Sequence, residues 1–243
     1  ADNMAYSKKI VAFIDLLGFK ELNGQTDQKQ TIHNVLTKNE DIVRMIEELP
    51  SSSLDSCAIR MFSDSIFFSY PAEMFTALLR DLSFISSSVA KQGFFFRGAV
   101  TYGDVFDTGT TLYGPALIEA YELEAKTACY PRIIITQKAY RKLKHNPEAT
   151  TAATAKDFLL KDFDEQVFIN FLKEQTPTDL NETREVISKY IKKNKKKSAI
   201  LPKYLWLANY FNHFIKVRQH LYDPRVDIIA PINIELPYIK LRY

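Results

Sequence analysis

The sequence predicts an α+β fold, a ferredoxin-like βαββαβ core extended by one helix and one strand, with a C-terminal hairpin and helical lobe after it. Three observations carry this. Apolar strand-type runs and helix-period segments follow the order strand, helix, strand, strand, helix, strand, then helix and strand, which is the split-βαβ arrangement with one unit appended. All seven glycines fall at or before Gly114, so the tight turns, and any backbone that hugs a phosphate, belong to the first half. At 243 residues the chain can build one sizeable core, or a domain with an added lobe.

The first strand is expected over about residues 8 to 15, where Ile10-Val11-Ala12-Phe13-Ile14 form an unbroken apolar run. A polar helix over about 27 to 48 follows, marked by Ile32, Val35, Ile42, Val43 and Ile46 at helical spacing. Strands over about 56 to 62 and 65 to 70 stand close enough to make a hairpin around Ser63-Asp64. Pro71 closes the second strand, a helix runs from about Ala72 to Lys91, and Gly93 ends it. Phe94 to Tyr102 is β-rich, Asp107-Thr108-Gly109 reads as a turn, and Gly114-Pro115 opens a helix through about Lys126, with proline at a tolerated first-turn position. Arg132 to Thr136 is the next strand.

Residues 144 to 156, rich in Ala and Thr and containing Pro147, read as a surface loop. Beyond it Phe158-Leu159-Leu160 and Val167-Phe168-Ile169 flank Asp162-Phe163-Asp164-Glu165 as a hairpin, and two helices follow over about 179 to 194 and 202 to 221. Lys192, Lys193, Lys195, Lys196 and Lys197 fall between those helices; such a run could contact phosphates or RNA, and a solvated interhelix loop is the expected reading before that. Trp206, Tyr210, Phe211 and Phe214 recur at helical spacing and are expected to pack against a core or a second subunit. Ile232 to Leu236 alternates like a strand. The expected division is residues 4–143 as the α+β domain and 144–243 as an extension packed on it or on a partner.

With 46% hydrophobic and 25% charged residues the composition is that of a globular protein, and a net charge of +3 is too mild to point to nucleic acid. No apolar run reaches the roughly 18 residues of a membrane span and no signal-type segment opens the chain, so no membrane partner and a cytoplasmic location are expected. Cys57 and Cys129 lack metal-ligand spacing and fit a reducing compartment. Of the histidines only His213 and His220 share a helix face, where a structural pair is expected before a zinc site.

The chemistry is concentrated in Asp15 and Asp64. Each stands in or at the end of a strand-like apolar run, where an ionised carboxylate is costly unless a cation or donors compensate it. Asp15 is followed by Leu16-Leu17-Gly18-Phe19, a turn whose backbone N–H groups could hold phosphates beside the carboxylate. Asp64 at a hairpin tip brings the second carboxylate to that space. Oxygen ligands without histidine favour Mg2+ or Mn2+, and two such ions suit phosphoryl or nucleotidyl transfer.

These motifs resemble the class III nucleotidyl cyclases. Phe13-Ile14-Asp15-Leu16-Leu17-Gly18-Phe19 looks like their first metal motif and Asp64 like their second metal aspartate, with Ser63 replacing a glycine. Arg97 to Gly103 resembles their R-x-G-I-x-x-G strand, and Tyr113-Gly114-Pro115-Ala116-Leu117 the entry to their catalytic helix. The resemblance covers about residues 8 to 136. It implies a cyclase palm, two Mg2+ or Mn2+ ions on Asp15, Asp64 and the Leu16 carbonyl, a nucleoside triphosphate substrate and a homodimer. Asp15, Asp64 and Arg97 would be catalytic, and Leu17, Gly18, Phe19, Arg60, Ser63 and Thr111 would contact the nucleotide. Arg60 stands where the family has its base-reading lysine and Thr111 where that lysine's partner is usual. The departures are Ile118 in the place of a transition-state asparagine and Glu122 in the place of an arginine, where a carboxylate would oppose building phosphate charge. The implied activity is conversion of a triphosphate to a cyclic nucleotide and pyrophosphate. A palm-type transferase making a di- or oligonucleotide, and a diverged nucleotide-binding or dimerisation module, stay open. Among bland roles, Arg97 has Asp104 and Glu124 as candidate ion-pair partners, and Glu119, Glu122 and Glu124 read as a helix's solvated face.

Overall fold

The computed structural model describes residues 6–17, 40–108, 111–144, 157–221 and 230–233. It divides into two compact units, Ala1–Ala90 with Phe94–Glu174, and Lys91–Gly93 with Gln175–Tyr243. The larger unit is built on one mixed sheet. Its strands are β1 (Ser7–Leu17), β2 (Ala58–Phe62), β3 (Ser65–Pro71), β4 (Phe95–Asp107), the short β5 (Leu112–Tyr113), β6 (Ile133–Ile135), β7 (Leu159–Lys161) and β8 (Val167–Ile169). The order across the sheet is β2-β3-β1-β4-β6-β8-β7, with β5 paired to β4. Its first four strands, all antiparallel to their neighbours, have the strand order of the ferredoxin-like fold. A crossover through α3 (Pro115–Leu123) then brings β6 in parallel to β4.

Period-two alternation along β1 assigns its two faces. Ile10, Ala12, Ile14 and Leu16 enter the main core with Phe68, Tyr70 and the helix α2 (Phe75–Ala90), whose Leu78, Leu82, Ile85 and Val89 recur at three- and four-residue steps. Each such fully buried aliphatic side chain contributes about 1.5–3 kcal/mol. Val11 and Phe13 point the other way, into a smaller cluster with Val105 and with Ala116, Leu117 and Ala120 of α3. The alanines bring that helix close to the sheet. Gly114 allows its entry: a Cβ there would lie 2.5 Å from the Asp104 carbonyl oxygen, and its φ of +153° suits glycine.

Several expectations are corrected. The strand expected to end near Tyr102 continues to Asp107, so the turn begins at Thr108. A helix, α4 (Gln137–Lys144), follows β6 where none was expected; Ala139 and Leu143 are its only two buried positions, a stripe too short to register as a period. The helix after Gly114 changes to a π-helical turn at Glu124–Ala128 before reaching Lys126. The 159–169 hairpin forms as expected, and β8 is hydrogen-bonded to β6, so the sheet continues through it. Residues 40–47 are helical, as the end of the expected 27–48 helix requires, and are labelled α1; the rest of that helix and the 145–156 part of the loop lie outside the described residues.

The smaller unit is a helix pair, α5 (Pro177–Lys193) and α6 (Leu201–Leu221). Thr176 caps α5 in a reciprocal box with Asp179, which also takes an ion pair from Lys91 at 2.9 Å. Tyr190 stacks on Tyr204 at 4.8 Å, and Trp206, Tyr210 and Phe211 are buried, as their spacing predicted. The Asn212 side chain exchanges two hydrogen bonds with the backbone of Ile232. Residues 230–233 are not a strand, and 234–236 lie outside the described residues.

Candidate active site

Asp15 projects from the Phe13 face of β1, two residues further along. Its cross-strand partners are Ser65 on β3 and Arg97 on β4, so three polar side chains form a row across adjacent strands on the face that α3 covers. The Ser65 hydroxyl donates to Asp15 Oδ1 at 3.1 Å. Asp64 is held beside this row by its backbone: its carbonyl accepts the amide of Leu16, the residue after Asp15, at 3.0 Å. The two-residue β2–β3 loop that presents Asp64 has Ser63 at φ +56°, a left-handed conformation that glycine adopts more cheaply.

Arg97 is engaged by Glu124, through both Nε and Nη2 onto Oε1. This corrects the reading of Glu124 as a solvated residue: it is 4% exposed and faces Arg97 across the sheet from the start of the π turn. Such a turn rotates the residues after it relative to an α-helix, and it is a recurrent feature of functional sites. Glu119 is also engaged, accepting from Thr101 at 3.0 Å and pairing with Lys138, whereas Glu122 is exposed and pairs only with Lys126 among the described residues. Glu124 and Asp64 leave Asp15 in a negative field. Its carboxyl is pushed up to about 6, first by burial, then by Asp64 and Glu124, with the Ser65 hydrogen bond and Arg97 opposing.

A cavity of about 470 Å³ opens on the same face, lined by Arg60, Phe67, Tyr113, Leu117, Ile118 and Tyr121 among others. Phe13 links it to the carboxylates, its ring 4.5 Å from Phe67 and 5.3 Å from Tyr121. Arg60 lies within 4.0 Å of Asp107, which also faces Lys9 at 3.7 Å. The sequence places Asp107 in a turn, whereas it ends β4, and that position brings it to Arg60. Thr111 is exposed and bonded to Thr108, and it is not a wall of the cavity. Leu16 is buried and Leu17 half-buried at the end of β1; Gly18 and Phe19 lie outside the described residues. The structure therefore gathers Asp15, Asp64, Ser65, Arg97 and Glu124 in one place and Arg60 with Ile118 around the neighbouring cavity. Among the described residues no three His, Cys, Asp or Glu side chains form a metal-holding group. Two carboxylates with backbone carbonyls still match the habit of Mg2+, which takes one or two carboxylates and completes its shell with water and phosphate oxygens.

In structure the chain is similar to class III adenylyl and guanylyl cyclase domains. A bacterial light-regulated adenylyl cyclase matches with a TM-score of 0.47 and 17% identity over 74% of this chain and 57% of that one, so the chain spans somewhat over half of that protein. The adenylate/guanylate cyclase/hydrolase from Silicibacter pomeroyi matches with a TM-score of 0.46 and 13% identity, over 68% and 95%. The monomeric guanylyl cyclase domain of a fusion protein from the aquatic fungus Blastocladiella emersonii gives 0.45 and 11%, over 67% and 94%. No family model matches, and no curated protein matches by sequence.

Proposed function

We propose that this chain is a metal-dependent nucleotidyl cyclase, converting a nucleoside triphosphate to a cyclic nucleotide and pyrophosphate. The observation that carries the reading is the Asp15 site: a half-buried carboxylate beside Asp64 and Glu124, where negative charge exceeds what Arg97 offsets. Such a place favours a divalent cation. When bound on Asp15, Asp64 and the Leu16 carbonyl, Mg2+ or Mn2+ ions would lower the pKa of the attacking 3′-hydroxyl and neutralise the departing pyrophosphate. The protein's part is to position. Arg97, fixed by Glu124, limits the repulsion around Asp15, while the apolar and aromatic walls beside Arg60 would take the base and exclude water from it. Leu17, Gly18, Phe19 and Ser63 would meet the phosphates, and Thr111 the base, as the family resemblance implies. Two copies of the chain are expected to assemble, as the family resemblance implies.

The test is incubation with each of the four common triphosphates and Mn2+, following pyrophosphate and product mass. A cyclic mononucleotide from at least one triphosphate, lost in both Asp15→Asn and Asp64→Asn, is the expected result. No product from any of them would overturn turnover, and a product of dinucleotide mass would replace cyclisation by intermolecular transfer. One observation favours a second reading, a nucleotide-binding module: Ile118 and Glu122 are both exposed on α3, where the resembled family places its catalytic amide and cation. Asp15-dependent nucleotide binding without turnover would select it.

A further inference from the structure

The charge of this chain is unevenly placed. From Val186 to Tyr222 there is no Asp or Glu, and this stretch holds eight lysines and one arginine; with a net charge of +3 overall, the remaining residues together carry −6. Seven of those lysines fall between Lys189 and Lys203, around the connection of α5 and α6. Leu180, Thr183 and Ile187 face inward on α5, and Lys189, Lys192 and Lys193 follow at positions on the opposite side, all exposed. Lys195, Lys196 and Lys197 are exposed on the connection itself. None of the seven pairs with a carboxylate among the described residues.

The dipole of α5 accounts for Lys192 and Lys193 in its last turn. It does not account for the rest. Lys203 lies in the first turn of α6, which has no acidic residue, so positive charge accumulates where a helix disfavours it. The concentration of cations is thus unbalanced internally and fits an external polyanion. Two features select the kind. The nearby aromatic rings of Tyr204, Trp206 and Tyr210 are buried, which removes the stacking platform a single-stranded nucleic acid would use. The cations are all lysine, point charges without the planar fork that reads phosphate or base edges in defined geometry. An extended surface of diffuse negative charge asks for no more than this.

We propose that the α5–α6 connection attaches the chain electrostatically to an anionic phospholipid surface. The attachment is peripheral; among the described residues no helix is long and apolar enough to cross a membrane. The test is co-sedimentation of the full chain with vesicles of phosphatidylcholine alone or with about one third phosphatidylserine, each lysine near the surface adding roughly fivefold to partitioning. The variant Lys195→Gln/Lys196→Gln/Lys197→Gln should bind about 100-fold more weakly on the same scale, with an unchanged thermal melt and circular dichroism spectrum. Raising salt from about 0.1 M to about 0.5 M should release the wild type, because the contacts are exposed and screened. Equal binding to neutral vesicles, no binding to either, or an unaffected triple variant would overturn the proposal. Salt-sensitive binding to an oligonucleotide without vesicle binding would overturn it in favour of a nucleic-acid partner.

Discussion

Replacing Asp15 by Asn should make the metal-free protein more stable at neutral pH while abolishing its affinity for divalent ions. The folded carboxyl titrates near 6 and its ordinary value is 3.8. A shift of about two units corresponds to about 3 kcal/mol at 1.36 kcal/mol per unit, and the partial solvent access of the site reduces the expectation to about 1–2 kcal/mol. The sign follows from proton linkage. Below the unfolded value both states hold the proton and Asp15 has no effect. As pH rises from about 4 to 6 the unfolded chain releases it first, so stability falls, and above 6 the full cost remains. Asn keeps an acceptor for the Ser65 hydroxyl and never ionises. Urea unfolding in chelator should therefore give similar stabilities for the two proteins near pH 4 and a higher midpoint for Asp15→Asn near pH 7.5, with unchanged m-values. Adding Mn2+ at neutral pH should raise the midpoint of the wild type alone, as binding to the folded state requires. A wild type more stable than Asp15→Asn at neutral pH without metal, or a difference independent of pH, would refute the electrostatic account of this site.

Two further substitutions test the frame around it. Arg132, 1% exposed, donates to both oxygens of Asp164 and to Asp162 at the β7–β8 turn, and its removal takes away all three of these bonds. Arg132→Ala should lose about 2–3 kcal/mol by chemical denaturation, below the cost of breaking a fully buried ion pair because the Asp164 side chain is 34% exposed. Ser63→Gly should gain about 1 kcal/mol by relieving the left-handed backbone at φ +56° while keeping Asp64 in place; a melting point at or below that of the wild type would show that the turn is not strained.

The α+β core was legible because its signals are local. Five apolar residues before Asp15 and the Phe67-Phe68 run after Asp64 each mark one strand, and Gly93 and Gly114 mark the breaks between elements. Asp15 and Asp64 stood out for the same reason, as charges inside apolar runs. Glu124 is legible only as one of two candidate partners for Arg97, a pairing the structure makes, while its burial and the place of Asp107 are not. Glu124 keeps α geometry, its amide on the Ala120 carbonyl, and stands four residues beyond Ala120 on the stripe that packs on the sheet, where it meets Arg97; grouped with Glu119 and Glu122 it reads as one of three solvated glutamates. Asp107 meets Arg60 through pairings several strands apart. Such contacts follow from register, and register is fixed by the whole sheet.

The register also sets the Asp15 row apart from the exposed face of α3. The Asp15 row needs β3, β1 and β4 aligned so that Ser65 and Arg97 flank the carboxylate, and Gly98 permits that alignment: a Cβ on it would come within 2.4 Å of the Phe13 carbonyl oxygen. Nothing comparable constrains the exposed face of α3. Ile118 and Glu122 project from a helix that packs through Ala116, Leu117 and Ala120, so either can be exchanged without disturbing the sheet below. Placing an amide and a cation there, by Ile118→Asn and Glu122→Arg, leaves the sheet intact and changes one wall of the cavity and one exposed position. If an amide and a cation on this face are what turnover requires, as the proposed function and the resemblance behind it imply, the double variant should gain pyrophosphate release by at least tenfold, about 1.4 kcal/mol of barrier. A folded double variant with unchanged or lower release would mean that other residues stabilise the developing phosphate charge, and that the cavity walls around Arg60 and Tyr113 are the place to look for them.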